Sequence, residues 1–370
     1  MRTLETTLDT PVQQLNQETG STPTPALLPL LTLITPAYNE QAIIEESIQR
    51  LCTYMKGLES RYRWEILIVN DGSADKTGAL ADQLAATFAQ VRVVHHKVNR
   101  NLGQALQTGF RHAKGDYVIV LDLDLSYGPD HIERLMDEIA ETDADVVIAS
   151  PYMKGGKVTA VPFGRLLLSR VVNRIMRSAS ARDIYTFTSM VRVYKGEFLR
   201  YLNLKSSTYD VNPEIIHKAI ILRARIREIP AHLDWSFQKT VGKGRTSSIR
   251  IVKGIFAGLM SGFIFRPYMY FMIMGLLLMV PALYMIGWTF IHTFEMMGVL
   301  EQSSLYNTLF SQAVAEAFRQ RPHTFLVGGI CLIVSLQFLG IGFLSLQSKR
   351  YFDELFHLNT TINRKINSFE

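Results

Sequence analysis

The chain has 370 residues, of which 48% are apolar and only 19% are charged, and its formal net charge is +6. This composition excludes a disordered chain and a coiled coil, and two cysteines far apart in sequence exclude a small disulfide scaffold. The positive charge is compatible with nucleic acid, an anionic membrane surface or a phosphorylated substrate as a partner.

Residues 1–26 contain much Thr, Gln and Pro and few apolar side chains, so we expect a flexible arm and no secretory signal. From residue 27 onward, short apolar strands alternate with segments of helical periodicity. The expected strands are 30–35, 66–70, 91–95, 117–121 and 146–149, and the helices between them cover about 41–58, 75–88, 103–112 and 129–141. This alternation predicts an α/β fold with a mostly parallel sheet that helices cover on both faces.

Polar clusters follow three of these strands, at the sheet edge where open α/β folds bind their ligands. Asp122 and Asp124 supply hard oxygen ligands that suit Mg²⁺ or Mn²⁺ carrying a diphosphate. Asp71 suits a hydrogen bond to a ribose hydroxyl or a base edge, and a helix cap is the alternative. For residues 99–103, a structural turn and a ligand contact fit the sequence equally well.

The last third of the chain has a different composition. Asp, Glu, Lys and Arg are absent from 267–294 and from 322–348, and each stretch exceeds the roughly 20 residues that a membrane helix needs. The expected units are a domain at 27–245, an interfacial amphipathic helix at 246–266, spans at about 267–293 and 323–348, and a cytoplasmic tail at 349–370. Basic residues at the outer ends of the spans predict an integral membrane protein with the domain and both termini cytoplasmic. Two buried helices of a soluble domain are the alternative.

Several motifs then occur in a characteristic order. They include TPAYNE (35–40), VNDGSADKT (69–77), NRNLGQALQTGF (99–110), GDYVIVLDLDLS (115–126), KGGKV (154–158), RLLLSRVVNRIMR (165–177) and RDIYTFTSMVRVYKGEFL (182–199). Over about residues 30–350 the chain resembles the inverting family 2 glycosyltransferases, specifically the polyprenyl-phosphate (dolichol-phosphate mannose synthase-like) branch whose members carry C-terminal transmembrane helices.

The resemblance implies a GT-A fold and transfer of one hexose, with inversion, from a nucleotide sugar of the UDP-glucose or GDP-mannose type. The acceptor would be a polyprenyl or dolichyl phosphate in the lipid bilayer, the cofactor Mg²⁺ or Mn²⁺, and nucleic acid would not be a partner. Relatives are often homo-oligomers, but no interface is legible in this sequence. A polyprenyl phosphate is already an anionic nucleophile, so positioning and electrostatic stabilisation are the main catalytic requirements.

The resemblance also implies roles for individual residues. The nucleotide-sugar site would comprise Pro36, Ala37, Tyr38, Glu40, Asp71 and Asp122, together with a late cation that is either Lys239 or Arg245. Asp122 and Asp124 would hold the metal, and Asp124 and Asp183 would be the catalytic carboxylates. Lys154, Arg165 and Arg170 would bind the acceptor phosphate.

The sequence departs from the family pattern at several places besides the late cation. Ser126 stands where Gln is frequent, Pro151 replaces an Arg expected at the acceptor phosphate, and Ser189-Met190 replace Gly-Phe. A processive enzyme is disfavoured because the Gln-x-x-Arg-Trp motif is missing, and a non-catalytic scaffold is disfavoured by the intact aspartates. Another lipid or glycan acceptor stays an alternative.

For two histidines and one tryptophan we expect a structural role and no part in binding. We expect His95 and His96 to form a strand-end pair that faces opposite ways and holds no metal, and Trp235 to be a core or interfacial aromatic.

Overall fold

Alternating strands and helices form the first part of the protein in a computed structural model that describes residues 27–180, 182–236, 267–300 and 309–367. The strands are β1 (Leu30–Ala37), β2 (Arg63–Asn70), β3 (Val91–His95), β4 (Tyr117–Val120), β5 (Val146–Ser150), β6 (Lys157–Thr159), β7 (Arg192–Lys195), β8 (Ile226–Pro230) and β9 (His232–Asp234). The helices before residue 237 are α1 (Ile44–Lys56), α2 (Thr77–Thr87), α3 (Leu102–His112), α4 (Asp130–Thr142), α5 (Phe163–Ala179), α6 (Gly196–Arg200) and α7 (Val211–Ile221).

Seven strands form the central sheet in the order β3-β2-β1-β4-β7-β5-β8. All neighbouring pairs are parallel except those of β7, which runs antiparallel to both β4 and β5. The predicted α/β class with a mostly parallel sheet is therefore confirmed. The sequence analysis did not anticipate β7, which begins at the fully buried Arg192, because a charged residue at that position disguises a strand.

Helices cover both faces of this sheet and create two hydrophobic cores. One core joins the sheet to α1, α2 and α4 through residues such as Ile48, Leu51 and Ile132. The other joins it to α3, α5 and α7 through Leu106, Val172 and Ile215. Because both faces are buried, the strands read as continuous apolar runs, which is the pattern that made them recognisable in the sequence.

Two long apolar helices, α8 (Pro267–Leu300) and α10 (Pro322–Asn367), pack side by side. Both are long and apolar enough to cross a membrane. Ser335 of α10 donates a hydrogen bond from Oγ to the Gly275 carbonyl of α8 at 2.7 Å. A side chain at Gly275 would meet Leu339, so the glycine allows this close approach.

The structure changes the expected boundaries of this region. α8 continues beyond residue 293, and a helix that was not expected, α9 (Leu309–Gln320), follows it. The segment 349–370 was expected to be a tail, but α10 continues through it to Asn367, and its Phe356 ring lies 5.4 Å from Lys218 Nζ on α7. The arm at 1–26 and the interfacial helix expected at 246–266 lie outside the described residues.

Candidate active site at the carboxyl edge of the sheet

The polar clusters meet because β1 lies between β2 and β4. Ala37 pairs with Asn70 of β2, and Ile34 pairs with Val120 of β4, so the segments that follow these strands begin side by side. The strand order reverses direction at β1 and β4, which is where open α/β sheets bind ligands.

Hydrogen bonds clasp the loop after β1 to the loop after β2. Asn39 N–H donates to Ser73 Oγ at 3.1 Å, and Ala74 N–H donates back to Asn39 Oδ1 at 2.9 Å. Asn39 has φ of 57°, a left-handed conformation that Asn tolerates better than most residues. Glu40 N–H donates to Thr77 Oγ1 at 2.8 Å, which fixes the turn into α1.

The residues expected to bind the nucleotide lie at the ends of β1 and β2 and on the two loops that these hydrogen bonds connect. Pro36 and Ala37 belong to β1 itself, and the Ala37 carbonyl accepts the Asp71 N–H at 2.9 Å. Tyr38 is 42% exposed, so its ring is open to a ligand. Asp71 is buried, and its Oδ1 accepts hydrogen bonds from Arg100 N–H at 2.9 Å and from His96 Nδ1 at 2.7 Å.

The two aspartates after β4 are presented by a tight turn. Leu123 and Leu125 are buried in the core, whereas Asp122 and Asp124, which alternate with them, are only partly buried. Leu125 N–H donates to the Asp122 carbonyl at 3.1 Å, with Leu125 at φ of 48°, an uncommon conformation for a leucine. Backbone strain of this kind is concentrated at functional sites, and it holds both carboxylates at the same edge.

Electrostatic repulsion is concentrated at Asp122. Burial, together with the neighbouring carboxylates of Asp124 and Glu40, raises the pKa of Asp122 to about 8. A divalent cation between these carboxylates would remove that repulsion, so the residues fit the metal implied by the resemblance. In the described ranges, groups of three or more His, Cys, Asp or Glu that could hold a metal are absent. Two carboxylates are hard oxygen donors of the kind that Mg²⁺ or Mn²⁺ prefers, and diphosphate oxygens and water would supply the remaining ligands.

Arg165 of α5 is a cation within electrostatic range of Asp124. Burial lowers the pKa of Arg165, and the nearby Tyr209, Asp124 and Tyr152 act in the opposite direction, which places its charge within electrostatic range of Asp124. The guanidinium lies over the Trp235 ring, 4.4 Å from the centroid. Trp235 therefore packs against a cation, a role that the sequence analysis did not assign to it.

The strand β9 brings Trp235 to this place. Asp234 N–H donates to the Ser126 carbonyl at 2.8 Å, and Trp235 N–H donates to the Thr159 carbonyl at 3.1 Å. Ser126, which stands where relatives often have Gln, is thus a backbone anchor for β9. The two cations expected further along the chain, Lys239 and Arg245, lie outside the described residues.

Arg170, another acceptor-site candidate, lies on α5 and lines a cavity. A cavity of about 830 Å³ is lined by Arg170, Arg174, Arg177, Asp183 and Tyr185, among others. Burial raises the pKa of the Tyr152 phenol while Arg170 and Arg165 lower it, so the phenol lies near both guanidiniums. Lys154 is exposed in the loop before β6.

Asp183 lies apart from the nucleotide edge in its described contacts. Its carboxylate accepts a hydrogen bond from Arg177 Nε at 2.6 Å and borders the α5 cavity. The next residues are held by Glu228, whose carboxylate accepts the Tyr185 N–H at 2.7 Å and the Thr186 N–H at 2.9 Å. Sequence reasoning missed Glu228, because its position on β8 is apparent only from the fold.

His95 and His96 face opposite ways, as expected. His95 Nδ1 lies 2.9 Å from Asn70 Nδ2 and its Nε2 lies 2.9 Å from Asp82, whereas His96 contacts Asp71 and Thr108. Sequence reasoning did not connect His96 with the nucleotide edge. The only available signal was its position directly after a strand that neighbours β2.

Comparison with known proteins identifies the family. The family model described as "Glycosyl transferase family 2" matches residues 32–201. A dolichol-phosphate mannosyltransferase from Pyrococcus furiosus is 31% identical over 202 residues, which are 54% of this chain and 55% of that protein. The chain therefore spans about half the length of this relative.

A second relative is matched over most of its length. The polyprenol monophosphomannose synthase of Mycolicibacterium smegmatis is 31% identical over 234 residues, which are 60% of this chain and 83% of that protein. Among solved structures, the mannosyltransferase from Pyrobaculum calidifontis in complex with GDP-Man and Mn²⁺ has a TM-score of 0.42 and 15% identity, covering 91% of this chain and 87% of that one. From the family model and the two sequence relatives, the chain belongs to glycosyltransferase family 2, alongside polyprenyl-phosphate sugar transferases.

Proposed function

We propose that this protein transfers one hexose from a nucleotide sugar to a membrane polyprenyl phosphate with inversion at the anomeric carbon. The observation that carries the proposal is the convergence of the ends of β1, β2 and β4 at one sheet edge, where Asp122 and Asp124 lie on the turn after β4 and Arg165 lies within electrostatic range of Asp124. Such an arrangement suits a reaction that brings a phosphate nucleophile to a metal-bound diphosphate. The donor is of the UDP-glucose or GDP-mannose type.

The donor occupies the edge between β1, β2 and β4. The segment Pro36, Ala37, Tyr38 and Glu40 borders the nucleoside, and Asp71 accepts a hydrogen bond from its ribose or base. Asp122 and Asp124 would hold Mg²⁺ or Mn²⁺, and the cation would supply neutralisation of charge on the leaving diphosphate. We assign nucleoside binding to Asp71 because it lies buried at the end of β2. We assign metal binding to Asp122 and Asp124 because they lie on the turn beyond β4.

The acceptor phosphate approaches from the α5 side. Arg165 lies within electrostatic range of Asp124, and both Arg165 and Arg170 lie near the phenol of Tyr152. These two cations orient a nucleophile that is already anionic, so a strong general base is unnecessary. Lys154 and Asp183 border this approach, Asp183 through its pair with Arg177. The phosphate oxygen attacks the anomeric carbon as the bond to the diphosphate breaks.

The long helices α8 and α10 suit anchorage in the bilayer that contains such an acceptor. In the proposed orientation the catalytic domain and both termini face the cytoplasm, where nucleotide sugars are made. A non-catalytic scaffold has no need for the strained turn that presents Asp122 and Asp124. Transfer to another lipid or glycan acceptor stays the second candidate, and product analysis separates it from the first.

A donor and acceptor panel tests the proposal. Full-length protein in neutral detergent is supplied with labelled UDP-glucose or GDP-mannose, Mn²⁺ and a polyprenyl phosphate. We expect a single labelled hexose on the lipid with one donor, no transfer with EDTA, and a product labile to mild acid. Transfer to a glycan without polyprenyl phosphate would contradict the acceptor, and absence of turnover with a full set of donors would contradict the enzyme assignment.

A further inference from the structure

Asp71 and His96 form a buried pair at the nucleotide edge. Their side chains are 5% and 6% exposed, and His96 Nδ1 lies 2.7 Å from Asp71 Oδ1. The pair follows from strand register, because Asn70 of β2 pairs with His95 of β3 and the next residue on each strand lies beside its counterpart. A one-residue change in that register would turn the imidazole away from the carboxylate.

The contacts of the two His96 ring nitrogens indicate which of them carries the proton. Arg111 Nη2 donates to Thr108 Oγ1 at 3.2 Å, and Thr108 Oγ1 lies 2.9 Å from His96 Nε2. An ionised carboxylate can only accept, so the contact with Asp71 Oδ1 places a proton on His96 Nδ1, which donates. In that tautomer Nε2 accepts from the Thr108 hydroxyl, whose oxygen also accepts from Arg111.

Only one oxygen of the Asp71 carboxylate, Oδ1, accepts hydrogen bonds from the described residues. Within the described ranges, its side-chain hydrogen bonds, from His96 Nδ1 and from Arg100 N–H, both end at Oδ1. Oδ2 is therefore the oxygen left to accept from a nucleotide. The backbone beyond Asp71 is fixed as well, because Gly72 has φ of 65° and a Cβ there would lie 2.3 Å from the Val98 carbonyl carbon.

We propose that His96 is a positioning residue for the donor, which holds Asp71 through Nδ1–H so that Oδ2 accepts a hydrogen bond from the nucleoside. The inference rests on the proposed function, since it names the same donor site. It adds a residue to which none of the sequence motifs pointed. His96 acts through Asp71 and does not touch the reacting atoms, so its loss should weaken nucleotide binding more than it slows chemistry.

Stereochemistry provides a test that separates this role from simple packing. In His96→Asn the amide lies where Nδ1 was, and its N–H can still donate to Asp71. In His96→Gln the amide lies where Nε2 was, next to Thr108, and the donor to Asp71 is lost. Dissociation constants for UDP and GDP are measured by calorimetry on full-length protein in detergent with Mn²⁺, and donor KM and kcat are measured alongside.

We expect His96→Ala and His96→Gln to weaken binding of the preferred nucleotide by roughly tenfold or more, the usual effect of losing a hydrogen bond to a buried charge. His96→Asn should restore binding to within about threefold of wild type, and kcat should change less than KM. His95→Ala is the matched control, because it truncates the adjacent imidazole, and it should bind nucleotide like wild type.

A double-mutant cycle completes the test. In an Asp71→Ala background, replacing His96 by Ala should cause little further loss, because its effect passes through the missing carboxylate. Equal losses in both backgrounds, or equal behaviour of the Asn and Gln variants, would show that His96 only fills space. If wild type binds nucleotide and His96→Ala binds equally well, the positioning role is wrong and the proposed function stands. If wild type binds neither UDP nor GDP, both are wrong.

Discussion

The Arg177 guanidinium donates from Nε to the Asp183 carboxylate across 2.6 Å and lies over the Tyr185 ring, 3.7 Å from its centroid. The Asp183 side chain is 69% exposed, so the pair borders the α5 cavity from its open side. An exposed ion pair contributes only about 0–1 kcal/mol to folding. Loss of this pair should therefore cost little stability, so a variant at Asp183 can test the proposed acceptor role without unfolding the protein.

The first prediction concerns this pair. Asp183→Asn should lower kcat at least tenfold if its charge serves the acceptor reaction, while the melting temperature falls by less than about 4 °C. Turnover and thermal unfolding are measured on the same preparation. Unaltered turnover would place Asp183 outside the catalytic site.

The second prediction concerns the metal. Asp124→Ala should abolish transfer and leave the fold intact, because its carboxylate lies on a turn and contributes little to the core. Leu123→Ala is the contrasting variant, since Leu123 is only 4% exposed and its truncation should cost about 2–5 kcal/mol of stability. Normal transfer by Asp124→Ala would overturn the metal site.

The third prediction follows from the raised pKa of Asp122. Since the folded-state pKa of about 8 exceeds the unfolded value, the stability contributed by the protonated form is present at low pH and is lost as pH rises toward 8. Metal binding requires the ionised carboxylate, so affinity for Mn²⁺ should strengthen as pH rises from 6 to 8, by up to about tenfold per unit. Titration with Mn²⁺ at three pH values measures this, and Asp122→Asn should show a flatter dependence.

The fourth prediction separates the cations of α5. Arg165→Ala should raise KM for polyprenyl phosphate roughly tenfold or more, the effect expected when a charged hydrogen bond to phosphate is lost. The donor KM should change little. Arg174→Ala removes the same charge further along α5 and is expected to change the acceptor KM less. Assays in neutral detergent exclude anionic lipid as the cause, and an unchanged acceptor KM for Arg165→Ala would contradict the role.

The fifth prediction tests the packing of the long helices. Gly275→Val places a side chain against Leu339, about 2.7 Å away, and should destabilise the α8–α10 pair by about 1–3 kcal/mol. Gly287→Val on the same helix has no neighbouring atom within 4 Å among the described residues and should be tolerated. Thermal unfolding in detergent compares the two, and equal melting temperatures would contradict the interface.

The sequence predicted the parallel part of the fold well because strands buried on both faces leave a simple apolar signature. β3, for example, was predicted at its observed limits of Val91–His95. The antiparallel β7 was missed, because Arg192 lies in it and its charge is compensated by carbonyls of Phe187 and Asn212, partners that only the fold brings near.

For the site, short motifs at strand ends indicated Asp71, Asp122 and Asp124, since strand ends converge in any open parallel sheet. The residues that support the site could not be predicted in this way. His96 contacts Asp71, 25 positions away, and Glu228 contacts Tyr185, more than 40 positions away. No local sequence pattern encodes such pairings. The functional roles assigned from resemblance stay predictions until the variants above are measured.

A single helix, α10, runs from its apolar stretch to the catalytic domain without a break. Lys349 is the first charged residue after that stretch, and Phe356, which lies against Lys218 of α7, follows within two helical turns, or about 10 Å. Under the proposed function, this short rigid link keeps the sugar-transfer site at the height of the lipid headgroups. The far end of the polyprenol would stay in the bilayer, beyond the reach of the catalytic domain. The enzyme should therefore accept polyprenols of very different lengths and discriminate among them only near the phosphate.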